Sequence, residues 1–489
     1  MMPTSVAVRG ALAFALFSAR ALADDAPAAP AEALSAPAAA APSPPAAPAV
    51  APSVADAGRF EFGSYGRVRI ASDLRGGVGR TVNVVANGTR IDEDSYAELE
   101  LRREDTWKGG ATTKVVATLA LFSPFFHFSG RPEQQLAVRN LFVQGSVGSL
   151  TLWGGSRMYR GDDIYLLNWW PLDNQNTLGG GAAYAIGPDT TLAAHVGMQR
   201  LDNAYQSQQV LAVAPFGSGT VAVQQLDRPR TIESVKFTQL VRNGRLFQDP
   251  KAGFKWVLYA EAHQISAGVA RDALTAQDRG LPQDYGFLAG AQLGIWSGER
   301  DTHLNLFLRH ARGLAAYDPL AAPQTFANDK STMGTTESLI ALGGNYEKEA
   351  FGIVGGAYLR AFRDGDPSAT TTQKFDEGTV VLRPQVYLGQ HWGVGGEASF
   401  QARRLAVPDP EQTSQPLTAS LWRFGVMPYF SPAGRGTFKR PQLRLVYVAT
   451  LRSRGAQELY AAQDVFAQRS VEHFLGLNVE WWFNSSSQP

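Results

Sequence analysis

From Phe60 onward the chain is built of short stretches of alternating apolar and polar residues, separated by clusters of Gly, Asp, Asn, Ser and Pro. The last stretch is the clearest. Leu475, Leu477, Val479, Trp481 and Phe483 share one parity, while Gly476, Asn478, Glu480 and Trp482 share the other. Successive side chains of a strand point to opposite faces, so this spacing predicts a strand with one face for lipid and one for water. The first stretch repeats it, with Phe60, Phe62, Val68 and Ile70 against Glu61, Tyr65, Arg67 and Arg69. Ala97, Leu99 and Leu101 oppose Tyr96, Glu98, Glu100 and Arg102, and Leu304, Leu306 and Leu308 oppose His303, Asn305, Phe307 and Arg309. No long 3.6-residue periodicity competes with this pattern.

A soluble sandwich carries the same alternation with its apolar faces packed together. The terminal strand separates the two. An amphipathic last strand closed by an aromatic resembles the signal by which outer-membrane assembly machinery selects its clients, although NSSSQP follows Phe483. The expectation is therefore all-β: a transmembrane antiparallel β-barrel over residues 59–483, set in outer-membrane lipid, with a polar tail over 484–489. Membrane strands of roughly 9–11 residues with turns and long outer loops give about 16–18 strands. Eighteen is the count adopted, with one loop folded inward as a constriction. A barrel this wide encloses an aqueous channel.

Composition adds the route to the membrane. The opening MMPTSVAVRGALAFALFSARALA carries Arg9, an apolar run from Ala11 to Phe17, and Ala21, Leu22 and Ala23 before two aspartates. That is the layout of a cleavable secretory signal over 1–23, and its apolar run is too short for a spanning helix. Residues 24–58 are an Ala/Pro-rich segment whose prolines favour extended polyproline geometry, so a disordered linker is expected there. Exported chains meet an oxidising compartment, yet this one has no cysteine, so its stability must come from elsewhere, and a closed hydrogen-bonded barrel is one source. Lys plus Arg number 45 against 44 for Asp plus Glu, which leaves no global basic field for nucleic acid.

In an open channel the informative residues are aromatics on the inner parity, where they occupy aqueous surface at a hydrophobic cost. Tyr65, Tyr96 and Trp482 are three. Pyranose rings expose apolar C–H faces and a rim of hydroxyls, so a track of aromatic rings suits the faces while charged side chains such as Arg67, Glu98 and Glu480 suit the rim.

SYGRVR, DSYAELEL, VRNLFVQGS, WGGSRMYRGDD and RPQLRLVYVAT, in this order between Phe60 and Phe483, together resemble the maltoporins, the sugar-specific trimeric porins. The resemblance implies an aromatic slide at Tyr65, Tyr96, Phe438 and Trp482. It also implies an aromatic from an early loop reaching a neighbouring subunit's mouth. The alternatives within FSPFFHFSG are Phe125, Phe126 and Phe128, with Phe126 carried as the candidate. It implies a polar rim of Arg67, Arg90, Glu98, Arg139 and Asp163. The constriction falls in DDIYLLNWWPLDN, where Trp170 takes the place of the family's tyrosine and Asn168 that of an aspartate. Gly161 replaces an arginine, with Arg160 beside it, and His303 stands where a slide aromatic is expected. The first-loop disulfide of the family has no counterpart here, so ASDLRGGVGRTVNVVANGTR must be held by packing or hydrogen bonds, and its glycines suggest mobility.

Plainer readings stand beside these. Tyr and Trp also form interfacial girdles, the role expected of Trp481 and Phe483, and lumen charges commonly neutralise one another. Pairing Glu98 with Asp163 as acid and base would make a glycoside hydrolase. No metal-ligand spacing, nucleophile motif or phosphate loop accompanies them, so no enzyme, cofactor or metal is expected. The function expected is passive, saturable diffusion of oligosaccharides through a homotrimer. A general diffusion porin for small hydrophilic solutes is the alternative.

Overall fold

The computed structural model describes residues 58–122, 135–242, 249–272, 274–298, 302–317, 331–365, 374–410 and 415–485. The expected signal and nearly all of the linker lie outside these, as do Phe125, Phe126 and Phe128 of the early loop and most of the polar tail.

Among the described residues, eighteen strands form one antiparallel sheet. The first, Arg59–Ser72, pairs with Tyr96–Thr106 on one side and with the last, Val471–Phe483, on the other, so the sheet closes on itself. Closure leaves no unpaired edge, the condition for crossing hydrocarbon with strands. No described helix is long and apolar enough to cross a membrane.

The parity read from sequence matches the two faces. Phe60, Phe62, Ile70, Leu99, Leu101, Leu304, Leu308, Leu477 and Phe483 are exposed on the outside, while Tyr65, Glu98, Asn305, Phe307 and Glu480 are buried within. Short connections at 107–111, 148–149 and 188–189 share one end with Arg59 and Phe483, and long connections at 73–95, 161–173 and 200–229 share the other. Short turns mark the periplasmic end of such barrels and long loops the outer end. Two small hairpins, Ser207–Val213 with Thr220–Asp227 and Gly268–Arg271 with Asp278–Leu281, decorate the outer end.

Two long connections fold into the lumen. In 161–173 a single 3-10 turn, Tyr165–Leu167, is closed by an Ile164–Trp169 bridge, and Ile164, Leu166 and Leu172 are buried against the inner wall. The wall receives them at glycines. A Cβ on Gly356 would stand 2.5 Å from Ile164 Cγ2, and one on Gly290 would stand 2.4 Å from Leu172 Cδ1. Each such fully buried aliphatic side chain stabilises the docked segment by about 1.5–3 kcal/mol.

Connection 73–95 docks on the same wall. Val82, Val84 and Val85 join the cluster that holds Ile164. Gln401 Oε1 accepts from the Val84 N–H at 3.0 Å, the Arg423 guanidinium donates to the Thr89 carbonyl at 3.1 Å, and Arg423 pairs with Asp92 at 2.5 Å. The glycine-rich loop expected to be mobile is thus tied to the barrel by packing, hydrogen bonds and a buried ion pair.

Candidate functional site: an aromatic run beside a narrowed lumen

The alternation that places Tyr65, Tyr96 and Trp482 inside says nothing about whether they meet. Barrel closure brings them together. Tyr65 stands opposite Trp482 in one ladder and Glu98 in the other, and Arg67 stands opposite both Tyr96 and Glu480. The Tyr65 ring centre lies 5.9 Å from that of Tyr96 and 6.5 Å from that of Trp482, distances at which aromatic pairs attract.

The run continues both ways. Toward the outer end Tyr96 meets Phe122 edge-on at 5.3 Å. Toward the periplasmic end Trp482 meets Tyr165 at 6.3 Å, Tyr165 meets Phe438 at 5.2 Å, and Phe438 stacks on His303 at 6.3 Å. Phe438, whose strand parity sequence leaves unclear, sits in the connection 431–441. The inward segment delivers Tyr165 to it. Phe122 and Tyr165 are new members. Phe122 opens the FSPFFHFSG motif but stands on inner parity opposite Tyr96, and Tyr165 lies in a loop, where parity gives no signal.

Charged side chains flank the rings in opposite-sign pairs. Arg67 reaches Glu93 at 2.7 Å and the Tyr65 hydroxyl at 2.6 Å, while Arg90 pairs with the same Glu93. Arg139 pairs with Glu98 and donates to the Tyr96 hydroxyl. The local backbone explains that reach. The ladder steps from Thr118–Asn140 to Leu119–Val138, leaving Arg139 as the extra residue of a bulge, a device that re-aims a side chain. Arg440 pairs with Glu480 at 2.7 Å.

The guanidiniums also lie over the rings. Arg67 stands 5.2 Å from the Tyr96 centroid, Arg139 5.8 Å from the same ring, and Arg440 4.2 Å from Trp482, all within cation–π range. Tyr65 and Tyr96 are accordingly only 4% and 8% exposed. Phe122 is 39% exposed, and Trp482, Tyr165, Phe438 and His303 are half-buried.

Below the run opens a cavity of about 790 Å³ lined by Tyr165, Trp170, Phe438 and His303 together with Lys114, Arg157, Arg160, Lys236, Lys255, Asp162 and Asp163. Of the expected constriction pair, Trp170 lines it and carries the Arg160 guanidinium 3.7 Å from its ring centre. Asn168 does not line it. That residue turns the backbone in the left-handed region, with φ of 47°, and its N–H closes the 3-10 turn on Tyr165. Lys255 pairs with Asp162, and Lys236 with the buried Asp173 at 2.6 Å. Burial pushes the Asp163 carboxyl up to about 6, with the charge of neighbouring Asp162 adding to the rise and Arg90 and Arg160 opposing it. Among the described residues no group of three or more His, Cys, Asp or Glu converges as a metal site.

Chemically the described lumen residues offer ring faces with hydrogen-bond donors and acceptors side by side. The model of the LamB porin family matches residues 60–483. Among solved structures the chain is similar to the outer membrane protein opdK from Pseudomonas aeruginosa, at 11% identity over 88% of this chain and 100% of that one, with a TM-score of 0.44. It is also similar to the outer membrane channel DcaP of Acinetobacter baumannii, at 10% identity over 87% of this chain and 97% of that one, with a TM-score of 0.44. No curated protein matches the chain.

Proposed function

The chain belongs to the LamB porin family of outer-membrane channels, and from that premise we propose that it passes neutral oligosaccharides by passive, saturable diffusion along its aromatic run. The observation that carries this reading is the unbroken succession Phe122, Tyr96, Tyr65, Trp482, Tyr165, Phe438 and His303, with neighbouring centroids 5.2–6.5 Å apart. A sugar ring leaving one aromatic finds the next within reach, so no single site holds it tightly, the condition for conduction.

The pairing of charges favours a neutral cargo. An arginine already matched by a carboxylate presents a donor beside an acceptor, which suits hydroxyls that both donate and accept. An anion would instead have to compete with Glu93, Glu98 or Glu480 for each guanidinium. Tyr65 and Tyr96 are roofed by Arg67 and Arg139, so a passing sugar displaces those guanidiniums from the ring faces and takes up their hydrogen bonds.

The same roofing supports the second reading, a general diffusion porin in which the arginines hold the rings as structure. Conductance of the full chain in planar bilayers separates the two. Sugar transport predicts a concentration-dependent, saturable block of ion current by maltodextrins or sucrose, and no block by any oligosaccharide overturns it. The homotrimer implied by the family resemblance belongs to the same proposal and is read by crosslinking in mild detergent, where bands no larger than a monomer overturn it.

A further inference from the structure

The outward face of the barrel is not uniform at its outer end. Three strands that run in the same direction, Thr302–Gly313, Phe351–Arg363 and Trp392–Pro408, each carry an arginine on the lipid-facing parity near their outer ends: Arg312, Arg363 and Arg404. Each stands four residues, or two same-face steps, beyond an outward apolar side chain: Leu308, Leu359 and Phe400 respectively. Leu308, Ile340 and Leu359 form one cross-strand row, and Phe400 packs on the outward Trp422 at 4.7 Å.

Two of the arginines are also in register. Arg312 and Arg363 both stand opposite Thr336 on the strand between them, while Arg404 stands opposite Asp376, which pairs with Ala361 on its other side, so Arg404 lies one same-face step deeper than Arg363. Neighbouring strands are about 4.8 Å apart, so Arg312 and Arg363 are separated by roughly 10 Å. Asp376 is the only outward carboxylate beside the three arginines among the described residues; it pairs at 2.5 Å with Arg363, whose guanidinium also donates to the Phe362 and Phe375 carbonyls, leaving three guanidiniums against one carboxylate. Arg312 donates only to the Met333 carbonyl, at 2.9 Å, and Arg404 forms no hydrogen bond or ion pair among the described residues. At the opposite, periplasmic end the outward Arg103 is neutralised by Asp105 at 2.7 Å.

Cations fixed at the rim of an apolar band meet the headgroups of the surrounding leaflet while the band below meets its acyl chains. We propose that the face carrying Arg312, Arg363 and Arg404 is a docking surface for a phosphate-bearing lipid of the outer leaflet, the phosphates bridging neighbouring guanidiniums and the acyl chains lying on Leu308, Leu359, Phe400 and Trp422. Arginine suits this role because its planar fork binds phosphate through two parallel hydrogen bonds.

The test uses the full chain in detergent and native mass spectrometry with three probes: diphosphorylated lipid A, the same lipid freed of phosphate, and inorganic phosphate. The wild type is expected to retain the diphosphorylated lipid over its dephosphorylated form by roughly 100-fold, a preference that R312Q/R363Q/R404Q loses and Arg103→Gln keeps. Heat-modifiable migration on gels establishes that each variant is folded, and single substitutions replace the triple one if it is not. Equal retention of the two lipids by the wild type overturns the proposal. So does an unchanged preference in the triple variant, an equal loss in Arg103→Gln, or displacement of the lipid by millimolar inorganic phosphate, which would mark a site for free anions.

Discussion

The two sides of the lumen are made from the same alternation and do opposite things. On the side of Arg59–Ser72, Tyr96–Thr106 and Val471–Phe483 the inner parity carries large rings and paired charges, and the surface faces the passage. On the side of Asp284–Ser297, Thr336–Glu347 and Phe351–Arg363 it carries Gly290, Gly343 and Gly356, with Gly343 directly opposite Gly356, and the surface is a socket filled by Ile164 and Leu172. Inner polarity alone does not make a passage. The size of the inner side chain decides whether a stretch of wall receives solute or receives the protein's own loop.

The largest effect expected from breaking this contrast is on the socket side. Glu337 is buried between Arg309, at 2.8 Å, and Arg360, at 2.5 Å. Glu337→Ala leaves those guanidiniums facing one another without their shared carboxylate, and a buried pair broken this way costs about 3 kcal/mol. Denaturant titration of the detergent-folded protein is expected to show a clearly lowered midpoint, and an unchanged midpoint would mean water already screens the cluster.

Next is the socket itself. Gly356→Val places a side chain where Ile164 now sits, with a destabilisation of about 1–3 kcal/mol. Because 161–173 narrows the lumen, its displacement is also expected to raise single-channel conductance. A stable variant with unaltered conductance would detach the segment from the control of pore size.

On the passage side, ring removal is expected to spare folding and weaken sugar block. Trp482→Ala and Tyr165→Ala each take one ring out of the succession, worth about 1 kcal/mol, or roughly 5-fold in the blocking concentration of maltodextrin. If both variants block like the wild type, those two rings are structural and the sugar is held elsewhere in the lumen.

The barrel was legible because strand parity needs nothing but sequence spacing, and the final strand fixed which face meets lipid. Parity also put Tyr65, Tyr96, Glu98 and Trp482 on one side of the wall. Their adjacency came from closure of the first strand on the last, a contact between the ends of the chain that no local pattern carries. Tyr165 escaped notice because a loop has no parity. The docking of 73–95 was hidden for a related reason: Val82, Val84 and Val85 look like any short apolar stretch until the wall they fill is known. One signal was present and unread. Glycines on the inner parity of neighbouring strands, at 290, 343 and 356, mark a wall thinned to admit something.

The smallest effect expected lies where the two sides meet, at Asp163. Its carboxyl titrates near pH 6, so it is ionised above that value and neutral below it. As pH falls through that value the cavity loses one negative charge. Anion preference is therefore expected to grow on acidification. One charge in an aqueous passage is worth about 0.4 kcal/mol, or roughly a two-fold change in the anion-to-cation permeability ratio. Reversal potentials across a salt gradient, taken between about pH 8 and about pH 5, measure it. D163N removes the titrating carboxyl, so the variant should hold the low-pH ratio at every pH. If D163N shows the full wild-type step, the pH dependence does not arise at Asp163, and the inward segment shapes the passage without setting its charge selectivity.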